Sequence, residues 1–114
     1  MLARRHLDML PRVHPFDTAA LLVDALCARI ARLAAQCCDE RGYFTIVLAG
    51  GSTPRELYQQ LRHLVADWQC WHIYFGDERC LPAGHPDRND SMAAVAWLDH
   101  VAIPPPHIHR AIGT

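Results

Sequence analysis

The chain has 114 residues, a formal charge of −1 and 51% hydrophobic residues. This length suits one modest domain with a core and excludes a large two-domain enzyme. The small net charge gives no electrostatic basis for binding nucleic acid or an anionic membrane. All 11 basic residues are arginine, so the chain has no lysine that could form a Schiff base. The N-terminus is too interrupted by charge to be a signal peptide, and no apolar run reaches membrane-spanning length. Five cysteines without a Cys-x-x-Cys pair predict reduced thiols in a cytoplasmic protein.

Hydrophobic spacing along the chain predicts alternating helices and strands. The first element is a helix from an N-cap at Asp17 to about Arg41, and its inner face is expected to hold Leu21, Leu22, Ala25, Leu26, Ile30, Leu33 and Cys37. A strand over 43–49, apolar enough to be covered on both faces, precedes a helix over 54–65 and a second buried strand over 71–75. A polar loop, a helix over 89–100 and an irregular segment over 103–110 that can lead into another strand complete the chain. This order predicts an α/β fold with a parallel sheet.

The turn after the first strand has the composition of an anion site. Gly50 and Gly51 let the backbone bend close to a ligand, and Ser52 and Thr53 stand at the start of the next helix. Thr53 is predicted to cap that helix, with Pro54 at its first position and Glu56 closing a capping box. The alternative is a plain strand-to-helix turn without a ligand. The turn lacks the lysine of a P-loop and the spaced glycines of a dinucleotide fingerprint, so nucleotide binding is disfavoured.

A second polar segment, Asp77-Glu78-Arg79, follows the second strand. Three adjacent charges are ordinarily a solvated loop. Because ligands bind at the carboxyl ends of parallel strands, however, this segment and the glycine turn are expected to converge. Arg79 would then fork onto phosphate oxygens, and Asp77 would accept a proton or orient a sugar hydroxyl.

Eight histidines raise the question of a metal site. His107 and His109 form a His-x-His pair, but the pair lies in a proline-rich segment without a carboxylate or cysteine at ligand spacing, and zinc sites need three or four convergent ligands. We therefore expect no metal site at these histidines. No Gly-x-Ser-x-Gly elbow supplies a serine nucleophile.

Three segments resemble the bacterial type of the 6-phosphogluconolactonase family. Leu48-Ala49-Gly50-Gly51-Ser52-Thr53-Pro54 resembles its Gly-Gly-Ser-Thr-Pro turn. The run from Trp71 to Pro82 resembles its strand followed by Asp-Glu-Arg-x-Val-Pro, with Leu81 in place of valine. His85 to Asn89 resembles its Asp-Ser-Asn region, with Arg88 in place of the usual serine. The related glucosamine-6-phosphate deaminases typically carry Asp-Glu-Tyr in the second motif, so Arg79 favours the lactonases.

The resemblance implies a Rossmann-like three-layer α/β fold and hydrolysis of 6-phosphoglucono-δ-lactone to 6-phosphogluconate in the oxidative pentose phosphate pathway. It also implies a set of substrate- and phosphate-binding residues, namely Gly50, Gly51, Ser52, Thr53, Arg79 and Asn89. Arg79 and Asp77 would have supporting roles in catalysis, and the resemblance implies neither a metal nor an organic cofactor.

One departure from the family limits this expectation. The family's second half carries an Asp-Gly-His-x-Ala-Ser-Leu-Phe-Pro-like motif whose histidine is thought to be the general base, and that motif does not occur here. Residues 1–114 are therefore expected to be a partial domain, the N-terminal half of a lactonase, that is inactive alone and associates with the missing half or with itself. A deaminase-like enzyme and a non-catalytic sugar-phosphate-binding module are the alternatives.

Overall fold

The computed structural model describes residues 15–111. Its helices are α1 (Pro15–Arg41), α2 (Ser52–Leu61) and α3 (Asn89–Ala96), and its strands are β1 (Phe44–Leu48), β2 (Trp71–Phe75) and β3 (Ile108–His109). Short 3₁₀ turns lie at 68–70, 98–100 and 105–107. The predicted order of helices and strands is confirmed. The helix expected over 89–100 ends as an α-helix at Ala96, and the segment over 103–110 does contain a strand.

The three strands form one parallel sheet in the order β1-β2-β3. Phe44 is in register with Trp71 and Leu48 with Phe75, while Ile73 is in register with Ile108. The α/β class with a parallel sheet is therefore confirmed. Because all strands are parallel, the turns that follow β1 and β2 lie at the same edge of the sheet.

The helices pack on one face of this sheet. Phe44, Trp71 and Ile73 are buried in the core, whereas Val47 and Tyr74 on the opposite face are 63% and 41% exposed. The expectation that β1 is covered on both faces is wrong for residues 15–111, because no helix within that range packs on the opposite face. The burial instead alternates along the strand, as in a sheet with one solvated side.

The centre of the core is an aromatic cluster that we call the tryptophan cluster, formed by Trp68, Trp71 and Trp97. Trp68 and Trp71 have ring centroids 4.7 Å apart, and Trp97 lies 6.0 and 5.8 Å from them. Tyr58 of α2 stacks on Trp97 at 5.8 Å. The tryptophans are packing residues that join β2 to the helical layer.

Helix α1 differs from its prediction in both its start and its inner face. It begins at Pro15, so Asp17 lies within it rather than before it. Its buried residues are Val23, Cys27 and Ala34. Leu26, Ile30 and Cys37 are partly buried as expected, but the predicted inner residues Leu21, Leu22, Ala25 and Leu33 are exposed. Small residues face inward because α1 packs closely on β1 and α2, and leucines are left on the sides that no described element covers.

A disulfide joins Cys38 and Cys70. The prediction that all cysteines are reduced is therefore wrong for this pair. The two residues are 32 positions apart in sequence, but the fold brings the end of α1 beside the 3₁₀ turn that precedes β2, with the Cα atoms 6.1 Å apart. Cys27 is a free, buried thiol that packs as a small hydrophobe.

The helices within residues 15–111 include none that is both long and apolar enough to cross a membrane.

Candidate functional site

The first component of the site is the glycine turn between β1 and α2. Gly51 has φ = 113°, a conformation that favours glycine, and its carbonyl accepts the first α2 hydrogen bond from the Arg55 N–H at 3.1 Å. Because the chain turns at Gly51, the helix begins at Ser52. The predicted capping by Thr53 and Glu56 is wrong: no side chain caps α2, and Pro54 occupies its third position rather than its first.

Tyr58 fixes this turn from inside the core. Its hydroxyl donates to the Ala49 carbonyl at 2.6 Å and accepts from the Ala49 N–H at 3.0 Å. The side chain is 2% exposed, and burial raises the pKa of its hydroxyl although the bond to Ala49 acts in the opposite direction. A neutral phenol in the second turn of α2 therefore holds the end of β1.

The second component is the turn after β2. The Glu78 carboxylate accepts from the backbone N–H groups of Asn89 at 2.6 Å and Asp90 at 2.9 Å, and also from that of Arg79 at 2.8 Å. Glu78 therefore caps α3 from a distant loop and holds the Arg79 backbone beside that helix. Sequence reasoning missed this role, because the cap lies 11 residues before the helix.

Asn89 connects the two turns. It is 7% exposed, and its side-chain amide donates to the Asp77 carbonyl at 3.2 Å. Its side chain also covers Gly50 so closely that a Cβ added at Gly50 would come within 2.8 Å of the Asn89 Cγ atom. Glycine is required at position 50 by this approach, since Gly50 does not have the positive φ of Gly51.

Arg88 organises the loop beneath the site. It is 1% exposed, donates two hydrogen bonds to Asp90 at 3.1 and 2.9 Å, and donates to the carbonyls of Leu81 and Ala111 at 2.9 Å each. Hydrogen bonding from Arg88 lowers the pKa of Asp90. The Arg88 guanidinium is satisfied by these internal partners, so its role is to fix the loop rather than to bind a ligand.

The two turns enclose a polar cavity of about 510 Å³. Of the predicted site residues, the structure brings Gly51, Ser52, Arg79 and Asn89 to its lining. Gly50 lies under Asn89, Thr53 faces a different groove along β1, and Asp77 is exposed and joins the site only through its carbonyl.

Sequence reasoning missed one further cation in this cavity, Arg55. It lies three residues after Ser52, so the two side chains are neighbours on the first turn of α2. That spacing was a usable signal. No ion pair to a carboxylate within residues 15–111 neutralises Arg55 or Arg79. Counting only partners within residues 15–111, the cavity thus has two guanidinium groups without an ion pair beside the N-terminus of a ten-residue helix, and this arrangement favours an anion.

Three of the histidines, His72, His107 and His109, lie together elsewhere, on the solvated side of the sheet. His72 stacks on His107 at 3.9 Å, and its Nδ1 atom lies 3.4 Å from Nε2 of His109. Burial, followed by the charges of the two neighbouring imidazoles, lowers the pKa of His72. Across the part of the chain that the structure describes, no three His, Cys, Asp or Glu residues are arranged to hold a metal ion.

Comparison with known proteins identifies the relatives of this chain. The model of the glucosamine-6-phosphate isomerase/6-phosphogluconolactonase family matches residues 17–114. The chain belongs to this family. A 6-phosphogluconolactonase of Synechocystis sp. is 38% identical over 101 residues, which cover 89% of this chain and 42% of that protein. A 6-phosphogluconolactonase of Nostoc sp. is 47% identical over 70 residues, covering 61% and 29%.

Solved structures of family members have the same fold. The 6-phosphogluconolactonase of Thermotoga maritima superposes with a TM-score of 0.71 and 26% identity, over 76% of this chain and 40% of that one. That of Trypanosoma cruzi gives 0.68 and 32%, over 79% and 35%. The chain thus spans between 29% and 42% of the length of these lactonases, and the match lies in the N-terminal part of the relatives.

Proposed function

We propose that this chain is the substrate-anchoring part of a 6-phosphogluconolactonase, the enzyme that hydrolyses 6-phospho-D-glucono-1,5-lactone to 6-phosphogluconate in the oxidative pentose phosphate pathway. The observation that carries the proposal is the polar cavity between the glycine turn and Arg79. It brings together residues of all three segments that resemble lactonase motifs. The lactonase relatives described above give independent support.

In this proposal the cavity binds the 6-phosphate. Arg79 and Arg55 supply two guanidinium groups, and Ser52 supplies a hydroxyl at the helix N-terminus. Gly50 and Thr53 act indirectly, Gly50 by leaving room for Asn89 and Thr53 by continuing the first turn of α2. The phosphate is remote from the reacting carbon of the lactone. Binding it fixes the position of the ring, so that binding energy orients the substrate for the reaction.

Hydrolysis itself requires a general base. The base takes a proton from water, whose oxygen adds to the lactone carbonyl carbon. The ring C–O bond then breaks, and its oxygen leaves as a hydroxyl after taking up a proton. We assign Asp77 only a supporting role, because its side chain is exposed and its carbonyl is used to hold Asn89. The chain alone is expected to hydrolyse the lactone no faster than buffer.

The proposal includes action in the cytoplasm, where phosphorylated sugars are retained, and no requirement for a metal or organic cofactor. A deaminase-like activity is less well supported, because Arg79 stands where deaminases typically have tyrosine. A binding module without catalysis would use the same cavity, so binding and turnover need separate measurements.

The test is calorimetric titration of the 114-residue chain with 6-phosphogluconate, the stable product, and with gluconate. We expect saturable binding of the phosphorylated compound only, and a loss of about 10–100-fold in affinity on Arg79→Ala, since a charge-assisted hydrogen bond contributes about 1.5–3 kcal/mol. Arg32→Ala, which removes an exposed arginine of α1, is the matched control. Equal affinity for gluconate, or an equal loss in the control, would contradict the proposed phosphate site.

A further inference from the structure

The polar cavity lies at an edge of the sheet where two helices begin. Helix α2 begins at Ser52 and α3 at Asn89, and both residues line the cavity. The free N–H groups at a helix N-terminus attract a negative charge, so this edge offers two competing positions for an anion. The structure distinguishes the two positions, because one of them is already occupied by a carboxylate of the chain itself.

That carboxylate belongs to Glu78, which occupies the N-terminus of α3. One of its oxygens accepts from the Asn89 N–H at 2.6 Å, and the other accepts from the Asp90 N–H at 2.9 Å. Its side chain is only 6% exposed, and the Arg88 guanidinium lies 3.7 Å away. A carboxylate buried to this extent needs such partners. As a result, the N–H groups of Asn89 and Asp90 are not free to bind a ligand.

The same carboxylate holds the backbone of the next residue, Arg79. Glu78 accepts from the Arg79 N–H at 2.8 Å, and the Arg79 carbonyl accepts from the Leu81 N–H at 2.8 Å. Asn89 adds a connection on the other side of Glu78, since its side-chain amide donates to the Asp77 carbonyl at 3.2 Å. Both polar backbone groups of Arg79 are thus used internally, and its side chain is left to face the cavity that it lines.

We propose that Glu78 is the positioning residue of the anion site: its carboxylate fills the N-terminus of α3 and holds Arg79 at the cavity, so that a phosphate group binds at the N-terminus of α2. Glu78 does not line the cavity itself but acts through Arg79 and Asn89, which do. The inference deepens the proposed function and rests on it for the identity of the phosphorylated ligand.

The negative charge of Glu78 makes the sign of one effect decisive. If charge alone mattered, removing a carboxylate beside an anion site would strengthen anion binding. Losing the support of Arg79 would weaken it, because the guanidinium would no longer be held in place for the ligand. A role confined to the stability of α3 would lower the free energy of unfolding and leave the affinity of the folded chain unchanged. Glu78→Gln keeps the shape of the side chain and removes its charge, so it separates these three cases.

The experiment is calorimetric titration of the parent chain and Glu78→Gln with 6-phosphogluconate, at a temperature where far-UV circular dichroism shows both to be folded. We expect about tenfold weaker binding by the variant, the size of one charge-assisted hydrogen bond. In NMR spectra of the variant, the backbone N–H groups of Asn89 and Asp90 should exchange with solvent faster, because they lose their carboxylate partner. Glu78→Asp keeps the charge but shortens the side chain. It should also weaken binding, and it carries the test if Glu78→Gln does not fold.

Glu56→Gln is the matched control, because it removes the same charge from an exposed position on α2 and should not weaken binding. Unchanged or tighter binding by folded Glu78→Gln, unchanged exchange at Asn89 and Asp90, or equal weakening by Glu56→Gln would each overturn the proposal. A parent chain that binds inorganic phosphate but not 6-phosphogluconate would contradict the proposed function, and the same comparison made with phosphate would then decide the role of Glu78. A parent chain that binds neither would overturn both.

Discussion

The hydroxyl of Tyr58 offers a sharp test of how the glycine turn is held, through the substitution Tyr58→Phe. The change removes two hydrogen bonds to Ala49, at 2.6 and 3.0 Å, and keeps the ring that stacks on Trp97. Each such bond contributes about 1 kcal/mol net. Ala49 is exposed, so water can replace the hydroxyl as a partner and no larger desolvation cost is added. The expected loss in the free energy of unfolding is therefore about 2 kcal/mol.

Urea denaturation followed by circular dichroism measures this loss directly. A loss of about 2 kcal/mol corresponds to a fall in Tm of roughly 10 °C for a domain of this size. Tyr43→Phe is the control: Tyr43 is 46% exposed, its hydroxyl has no hydrogen bond to any described residue, and its removal should change stability by less than about 0.5 kcal/mol. If Tyr58→Phe and Tyr43→Phe unfold with the same free energy, the reasoning that Tyr58 clamps the end of β1 is refuted.

Three further predictions follow from contacts around the site and the sheet. Gly50→Ala should destabilise the fold by about 1–3 kcal/mol, because the new Cβ atom collides with the Asn89 side chain; an unchanged denaturation midpoint would contradict it. Asp90→Asn should be less stable than the parent chain at pH 7. The difference in the free energy of unfolding should shrink as pH falls from about 4, the unfolded pKa of aspartate, through the lowered native pKa of Asp90. A difference that stays constant with pH would exclude the interaction with Arg88 as its cause. The native pKa of His72 is also lowered, so the unfolded chain binds a proton at this imidazole more readily than the native chain does. Stability should therefore fall as pH drops below about 6.5. In denaturation series over this pH range, His72→Gln should lose less stability than the parent chain.

Local patterns in the sequence were sufficient to predict the strands and the convergence of the two turns. Short apolar runs ending in glycine identified β1 and β2, and parallel topology then required Ser52 and Arg79 to lie at one edge of the sheet. Local patterns did not assign Asn89 to the site; only the family resemblance did. Its physical role, covering Gly50, depends on a contact between residues 39 positions apart and has no local signature.

The errors arise where non-local packing decides the outcome. The start of α2 was misplaced because the positive φ of Gly51 turns the chain before the predicted cap at Thr53. Spacing alone favoured leucines for the inner face of α1, but close packing selected Val23, Cys27 and Ala34. The pairing of Cys38 with Cys70 depends on the approach of two elements 32 residues apart, which spacing in sequence does not encode.

The tryptophan cluster has a consequence for spectroscopy. It contains every tryptophan of the chain, all within 6.0 Å of one another, so intrinsic fluorescence reports on one region that joins β2 to the end of α3. Far-UV circular dichroism is instead dominated by the 27 residues of α1, which contains no tryptophan. The two signals observe different parts of one core, so coincident unfolding curves would demonstrate cooperativity between α1 and the sheet. A circular dichroism curve with a lower midpoint than the fluorescence curve would show that α1 detaches first.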